Sequence, residues 1–168
     1  HRGLDVALLV VGDGDHRAAL EEQVRSLALS PAVRFAGRVE SVAPYLAAMD
    51  VYCLPSLKES LSIAVLEAMA AGLPVVTTRV GDFATLIDPG RNGYLAAPGD
   101  AAALEEPLGS LISDRALRER IGQAGLQTVR QIEFALFDLR IHGGAPLDRT
   151  GIAATLEAVR AEVAVIKP

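Results

Sequence analysis

The sequence predicts an α/β fold organised as a doubly wound parallel sheet. Three observations lead there. Apolar, partly β-branched runs of strand length recur at 5–11, 33–37, 50–54, 74–78 and 93–96. Stretches of helical length separate or follow most of them. Gly and Pro mark the changeovers, at Gly12-Asp13-Gly14, Pro55, Gly72 with Pro74, Asp88-Pro89-Gly90 and Pro98-Gly99.

The first run, DVALLVV at 5–11, reads as a buried parallel strand that ends in the tight turn Gly12-Asp13-Gly14. A helix is expected over about 15–28, then a second strand, VRFAG, at 33–37. Ser41 is placed to cap a short helix ending near Met49. The third strand, 50–54, is halted by Pro55. A helix follows from about residue 60 to Ala71, with Gly72 as its C-terminal stop and Pro74 just beyond. Pro74–Thr78 is the fourth strand, and a short helix is expected near 83–88. Gly93–Ala96 is the fifth strand. Asp100 is the expected N-cap of the next helix, and another helix spans about 114–130. Residues 140–151 read as loop, and 152–165 as one more helix.

The composition limits what the chain can be. Its 168 residues suffice for one domain with a true core, and 51% hydrophobic against 22% charged residues marks a globular protein. A net charge of −5 argues against a nucleic-acid surface, so an anionic ligand must be held locally by helix N-termini and a few cations. The single cysteine, Cys53, excludes an internal disulfide and reads as a small buried core residue. The apolar runs are too short to span a bilayer. The opening HRGLDV carries neither an initiating methionine nor a signal-peptide pattern, so a fragment is expected, its true N-terminus lying elsewhere.

In such sheets ligands bind beyond the carboxyl ends of the strands. The loops to watch are therefore 12–16, 37–41, 55–61 and 78–83. One of them opens the segment PSLKESLSIAVLEAMAAGLPVV at 55–76, which carries Glu59 and Glu67 eight residues apart. On one helix that spacing rises about 12 Å, too far for the carboxyl pair of a glycoside hydrolase, which needs roughly 5–9.5 Å. It suits an extended ligand with hydroxyls at both ends and an anionic group between, the shape of a nucleotide sugar.

Plainer readings compete. Ser56-Leu57-Lys58-Glu59 also fits a capping box, with Glu59 reaching back to the Ser56 amide. Glu67 has apolar neighbours, Val65, Leu66 and Met69, which weakens its reading as an ordinary surface residue. Gly12-Asp13-Gly14 begins like a dinucleotide fingerprint, but Arg17 stands where the third glycine belongs, and no acidic residue closes the second strand. His16 reads as a solvated loop residue. Lys58 and Arg79 lie near the expected mouth of the site, and each reads first as a solvated charge.

Several phrases, taken in order, resemble family 4 of the retaining glycosyltransferases, in the C-terminal, donor-binding half of their GT-B fold. They are LLVVGDG (8–14), VRFAGRV (33–39), YLAAMDVYCLPS (45–56), ESLSIAVLEAMAAGLPVV (59–76), NGYLAAPGD (92–100) and RERIGQAG (118–125), so the resemblance covers roughly residues 5–130. It implies a nucleotide-sugar-binding, Rossmann-like domain over 1–133 that lacks its first strand and loop, followed by an off-pattern tail over 134–168. It implies a hexosyltransferase that moves a sugar from a nucleotide diphosphate sugar, such as a UDP or GDP sugar, to an acceptor hydroxyl in polysaccharide or glycolipid synthesis.

By that resemblance Glu59 is the catalytic-site residue that bonds hydroxyls of the transferred sugar, and Glu67 bonds the ribose. The amides of Ser60, Leu61 and Ser62 meet the diphosphate. Gly37-Arg38-Val39 packs the nucleobase, with Arg38 stacking on the base or approaching a phosphate. No cofactor and no metal is implied. The missing N-terminal domain would hold the acceptor and any membrane contact, so the fragment is expected to be inactive alone. The expected location is cytoplasmic, peripheral at the membrane in the full-length protein.

The chain departs from the family where Ser60 replaces a frequent glycine, and where Asp82 and Thr85 replace a second glycine and a glutamate. Two alternatives stay open. One is a non-catalytic interaction or regulatory module with a degenerate fold. The other is a GT-B epimerase acting on nucleotide-linked amino sugars, whose relatives lack the AMAAG-type helix in this form.

Overall fold

Among the described residues of the computed structural model five strands form where the apolar runs lie, and every strand pair is parallel. The structure describes residues 6–60, 62–143 and 148–163. It divides into two units, His1–Ala48 and Met49–Pro168.

In the first unit β1 (Leu8–Val11) pairs with β2 (Val33–Gly37) in the register Leu8↔Val33, with an irregularity between Val10 and Val11. The strand does not have the full burial expected of it: Leu8 is 55% exposed. Among the described residues it is hydrogen-bonded to β2 alone, so its other edge lacks the ladder that buried parallel strands carry on both sides. Helix α1 (Arg17–Ser26) is shorter than the expected 15–28. The Gly12-Asp13-Gly14 turn runs on to His16, which takes the N-cap position without a side-chain bond. Helix α2 (Ala43–Ala47) starts after Val42, not from a Ser41 cap, with Pro44 in its first turn. The fixed φ of proline suits that position.

The second unit holds β3 (Tyr52–Leu54), β4 (Val75–Thr78) and β5 (Tyr94–Ala96) in the order β3-β4-β5. Central β4 is buried at every position, as a strand covered on both faces must be. Helix α3 (Ile63–Ala70) sinks Val65, Ala68 and Met69 into the core, the i, i+3, i+4 set of one face. It ends as expected at Gly72, which has φ +76°. The Gly72 amide donates to the Met69 carbonyl and the Leu73 amide to the Ala68 carbonyl, both at 3.0 Å, the paired bonds of a Schellman motif.

Helix α4 is only Phe83–Leu86, because Ile87 turns to extended backbone. The side chain of Asp100 accepts from the Ala103 amide at 3.0 Å at the start of α5 (Ala102–Ser113). Asp114 caps α6 by accepting from the Leu117 amide at 3.0 Å. Helix α6 runs from Arg115 to His142, well past the expected end near 130, so 140–142 belong to a helix and not to a loop. Its apolar spacing simply continues. Helix α7 (Arg149–Val163) begins three residues before the expected 152 and buries Val159. A core of fully buried Val76, Leu111 and Ile121 joins β4, α5 and α6.

Candidate functional site

The β3–α3 loop, residues 55–62, leaves the carboxyl end of β3 and is tied to β4 by side chains and backbone. The Thr77 hydroxyl donates to the Leu54 carbonyl at 2.8 Å. The Thr78 hydroxyl donates to the Ser56 carbonyl at 2.5 Å. Both threonines are buried, so each hydroxyl has a partner inside the protein. Further on, the Asp82 amide donates to the Ser60 carbonyl at 2.9 Å.

Glu59 is half-buried between these anchors. Its carboxylate lies 3.4 Å from the Ser56 hydroxyl, side chain to side chain. The capping box therefore does not form: no helix starts near Ser56, and Ser56–Glu59 is loop. Helix α3 begins at Ile63, not near residue 60, with Ser62 in extended backbone at the N-cap position and no side-chain cap bond. Ser60 and Ser62 thus precede the helix. Leu61 lies outside the described residues. Among the described residues the first-turn amides of Ile63 and Ala64, which the sequence reading missed, turn back to no carbonyl, whereas those of Val65 and Leu66 turn back to the Ser62 carbonyl. The one-helix spacing of the two glutamates is revised with it. Between Glu59 and Glu67 only the five residues Ile63 to Glu67 are helical, four steps that rise about 6 Å.

Glu67 is half-buried on α3, and loss of hydration raises its pKa. Tyr52 on β3 senses both glutamates. Its phenol is pushed up to about 12, first by burial, then by the negative charges of Glu67, Cys53 and Glu59. Burial likewise pushes the Cys53 thiol up. The structure therefore gathers Glu59, Ser60, Ser62 and Glu67 about one loop and helix start, with Tyr52 electrostatically coupled to both carboxylates. Lys58 and Arg79 are exposed.

The remaining predicted residues belong to the first unit. Gly37 is buried with φ +73°, and its carbonyl accepts from the Gly12 amide at 2.8 Å. A Cβ there would lie 3.0 Å from the Arg17 guanidinium, which sits over the Phe35 ring at 5.9 Å and pairs with Glu21 at 2.8 Å. The residue that replaced the third fingerprint glycine thus packs across the β2 end. Arg38 is exposed and Val39 half-buried.

A hollow of about 300 Å³ lined by Met49, Asp50, Gly72, Leu73, Pro74 and Arg115 opens before the amino ends of β3 and β4. It shares no residue with the β3–α3 loop and lies at the end of the sheet where such folds do not bind ligands. Among the described residues no three His, Cys, Asp or Glu gather to hold a metal ion, and no helix is long and apolar enough to cross a membrane.

A family model described as glycosyl transferases group 1 matches residues 1–114. The chain belongs to this family. A phosphatidyl-myo-inositol mannosyltransferase of Mycobacterium leprae is 41% identical over 137 residues, covering 79% of this chain and 35% of that one. The C-terminal domain of a group 1 glycosyl transferase, LpcC of Francisella tularensis, is 31% identical with a TM-score of 0.64, covering 70% of this chain and 62% of that one. The Anabaena protein HepE, solved in complex with UDP, has a TM-score of 0.72 at 23% identity, covering 96% of this chain and 41% of that one, a likeness of fold. The group 1 chain spans about a third of the length of the curated mannosyltransferase it matches. The α/β fold with parallel strands is the one expected, and it is shared with GT-B glycosyltransferases.

Proposed function

We propose that this chain carries the donor site of a retaining glycosyltransferase, which moves a hexosyl group from a nucleotide diphosphate sugar to an acceptor hydroxyl. The observation that carries the reading is the placement of Glu59 and Glu67. Both are half-buried, one in the anchored loop beyond β3 and the other one helical turn into α3, and both act on Tyr52. A half-exposed carboxylate reads a vicinal diol well, because an ionised acceptor makes stronger hydrogen bonds than a neutral one. Two of them separated by a helix start match a ligand with hydroxyls at either end and a diphosphate between.

In this reading Glu59 meets the transferred sugar and Glu67 the ribose. The amides of Ser60, Ser62, Ile63 and Ala64 meet the diphosphate; Leu61, the other amide expected there, lies outside the described residues. Gly37-Arg38-Val39 packs the nucleobase, chiefly through backbone. The acceptor is held by a separate N-terminal half, which also makes any membrane contact from the cytoplasmic side. Transfer needs both substrates fixed in one water-excluding cleft, so residues 1–168 alone carry little or no transferase activity.

Calorimetric titration with UDP, GDP and ADP, beside Glu67→Ala, tests the reading. One nucleotide binds, and Glu67→Ala weakens it more than about tenfold, the loss of a charged acceptor. A folded wild-type chain that binds none of the three sinks it in favour of an interaction module.

A further inference from the structure

We propose that Gly81 is a positioning residue for Glu59, resting on the donor reading above. Its backbone, bare of a side chain, closes the Glu59–Ser60 peptide against the β4–α4 turn and so sets where the Glu59 carboxylate stands.

Gly81 has φ +52°, a conformation that residues with a side chain rarely adopt. Conformation alone does not explain it. In the same unit Gly72 (φ +76°) and Gly90 (φ +79°) are also left-handed, yet a Cβ at either would meet nothing within 4 Å. At Gly81 a Cβ would lie 2.5 Å from the Glu59 carbonyl oxygen and 2.7 Å from the Ser60 carbonyl carbon, and would overlap the Ser60 carbonyl oxygen outright. These are backbone atoms that cannot swing aside as a flexible side chain does. The next residue completes the contact, since the Asp82 amide donates to that same Ser60 carbonyl at 2.9 Å.

On the other side of Glu59, the Thr78 hydroxyl holds the Ser56 carbonyl. Glu59 therefore lies between two carbonyls, Ser56 and Ser60, that the segment 78–82 grips. Any side chain at 81 must push the second grip open and carry the Glu59 backbone with it. A carboxylate that reads two hydroxyls depends on such placement, because a shift of about 1 Å is enough to spoil a positioned group.

Calorimetry on the whole chain with UDP-glucose, GDP-mannose and ADP-glucose, each against its own nucleoside diphosphate, isolates what the sugar adds to affinity. Glu59→Gln is expected to remove that increment, Gly81→Ala to remove it to the same degree, about tenfold or more. The double variant loses no more than either alone, because both act through one group. Glu59→Gln keeps nucleoside diphosphate affinity; Gly81→Ala lowers it less than it lowers the sugar increment, because the Ser60 amide moves with the same peptide, and a cooperative thermal melt shows that each variant is folded. Gly90→Ala imposes the same backbone strain without the clash and keeps the increment.

If Glu59→Gln loses the increment and Gly81→Ala keeps it, the positioning role is wrong and the donor reading stands. If Glu59→Gln leaves the increment unchanged, both fall. Should Gly81→Ala fail to fold, hydrogen exchange of the Asp82 amide in the wild type decides. The nucleotide sugar must slow it more than the nucleoside diphosphate does, since coupling between grip and ligand is reciprocal. Equal protection by the two ligands overturns the proposal.

Discussion

The Thr78 hydroxyl reaches across from the end of β4 to the Ser56 carbonyl, at 2.5 Å, and so ties the loop that carries Glu59 to the central strand. Thr78→Val keeps the shape of the side chain and deletes the donor. Leaving the carbonyl without its partner should cost roughly 1–3 kcal/mol. Urea denaturation reads it as a lower midpoint with an unchanged slope. A midpoint equal to wild type would show that water replaces the hydroxyl without loss.

Glu67 places a pH dependence on stability. Its pKa is raised in the folded chain, so the native state holds this proton more tightly than the unfolded chain does. The contribution is present below the ordinary value of 4.5 and is lost as pH rises from there through the folded value. Glu67→Gln removes this slope. Relative to wild type, the variant gains stability at neutral pH and changes less across that window, as seen in thermal melts at stepped pH. A wild type whose stability rises faster than the variant's over the same window would contradict the direction.

Tyr52 offers a direct probe of the two carboxylates. Its phenol should ionise near pH 12, and the folded chain loses this contribution to stability as pH rises from 10 through that value. Tyr52→Phe should delete one transition from the phenolate absorbance titration. Glu67→Gln should move that transition down, because a like charge has gone. An unmoved midpoint would separate Tyr52 from the glutamate.

Gly122 tests how α6 sits on the α3–β4 turn. A Cβ there would overlap the Gly72 carbonyl oxygen and lie 2.9 Å from the Gly72 carbonyl carbon. In an open helix, glycine to alanine gains about 1 kcal/mol. Here Gly122→Ala should instead lower stability by roughly 1–3 kcal/mol through overpacking. The sign of the change in melting temperature decides between them.

Much of the second unit was legible in the chain. The β-branched β4, the Gly72 stop with Pro74 beyond it, and Asp100 as a helix-starting side chain all act through neighbours in sequence, so local pattern suffices to read them. The α3 start was misread by three residues, and the capping box with it. Ser56 and Ser62 both have the chemistry of an N-cap, and choosing between them needs to know which carbonyls β4 captures. Helix α6 runs past the expected end near 130 and packs on α7, the helix that follows it in the chain.

The sequence by itself determined an α/β chain of parallel strands, with Glu59 and Glu67 flanking a helix start, because strand and helix periods and turn residues are written locally. Only the tertiary structure decided that the Glu59 loop is gripped at Ser56 and Ser60, that Tyr52 feels both carboxylates, and that Gly81 and Gly122 are places where two backbones nearly touch. Apart from Tyr52 with its two glutamates, those are encounters between residues more than twenty positions apart. A glycine or threonine carries no mark of the partner it will meet until the chain has folded around it.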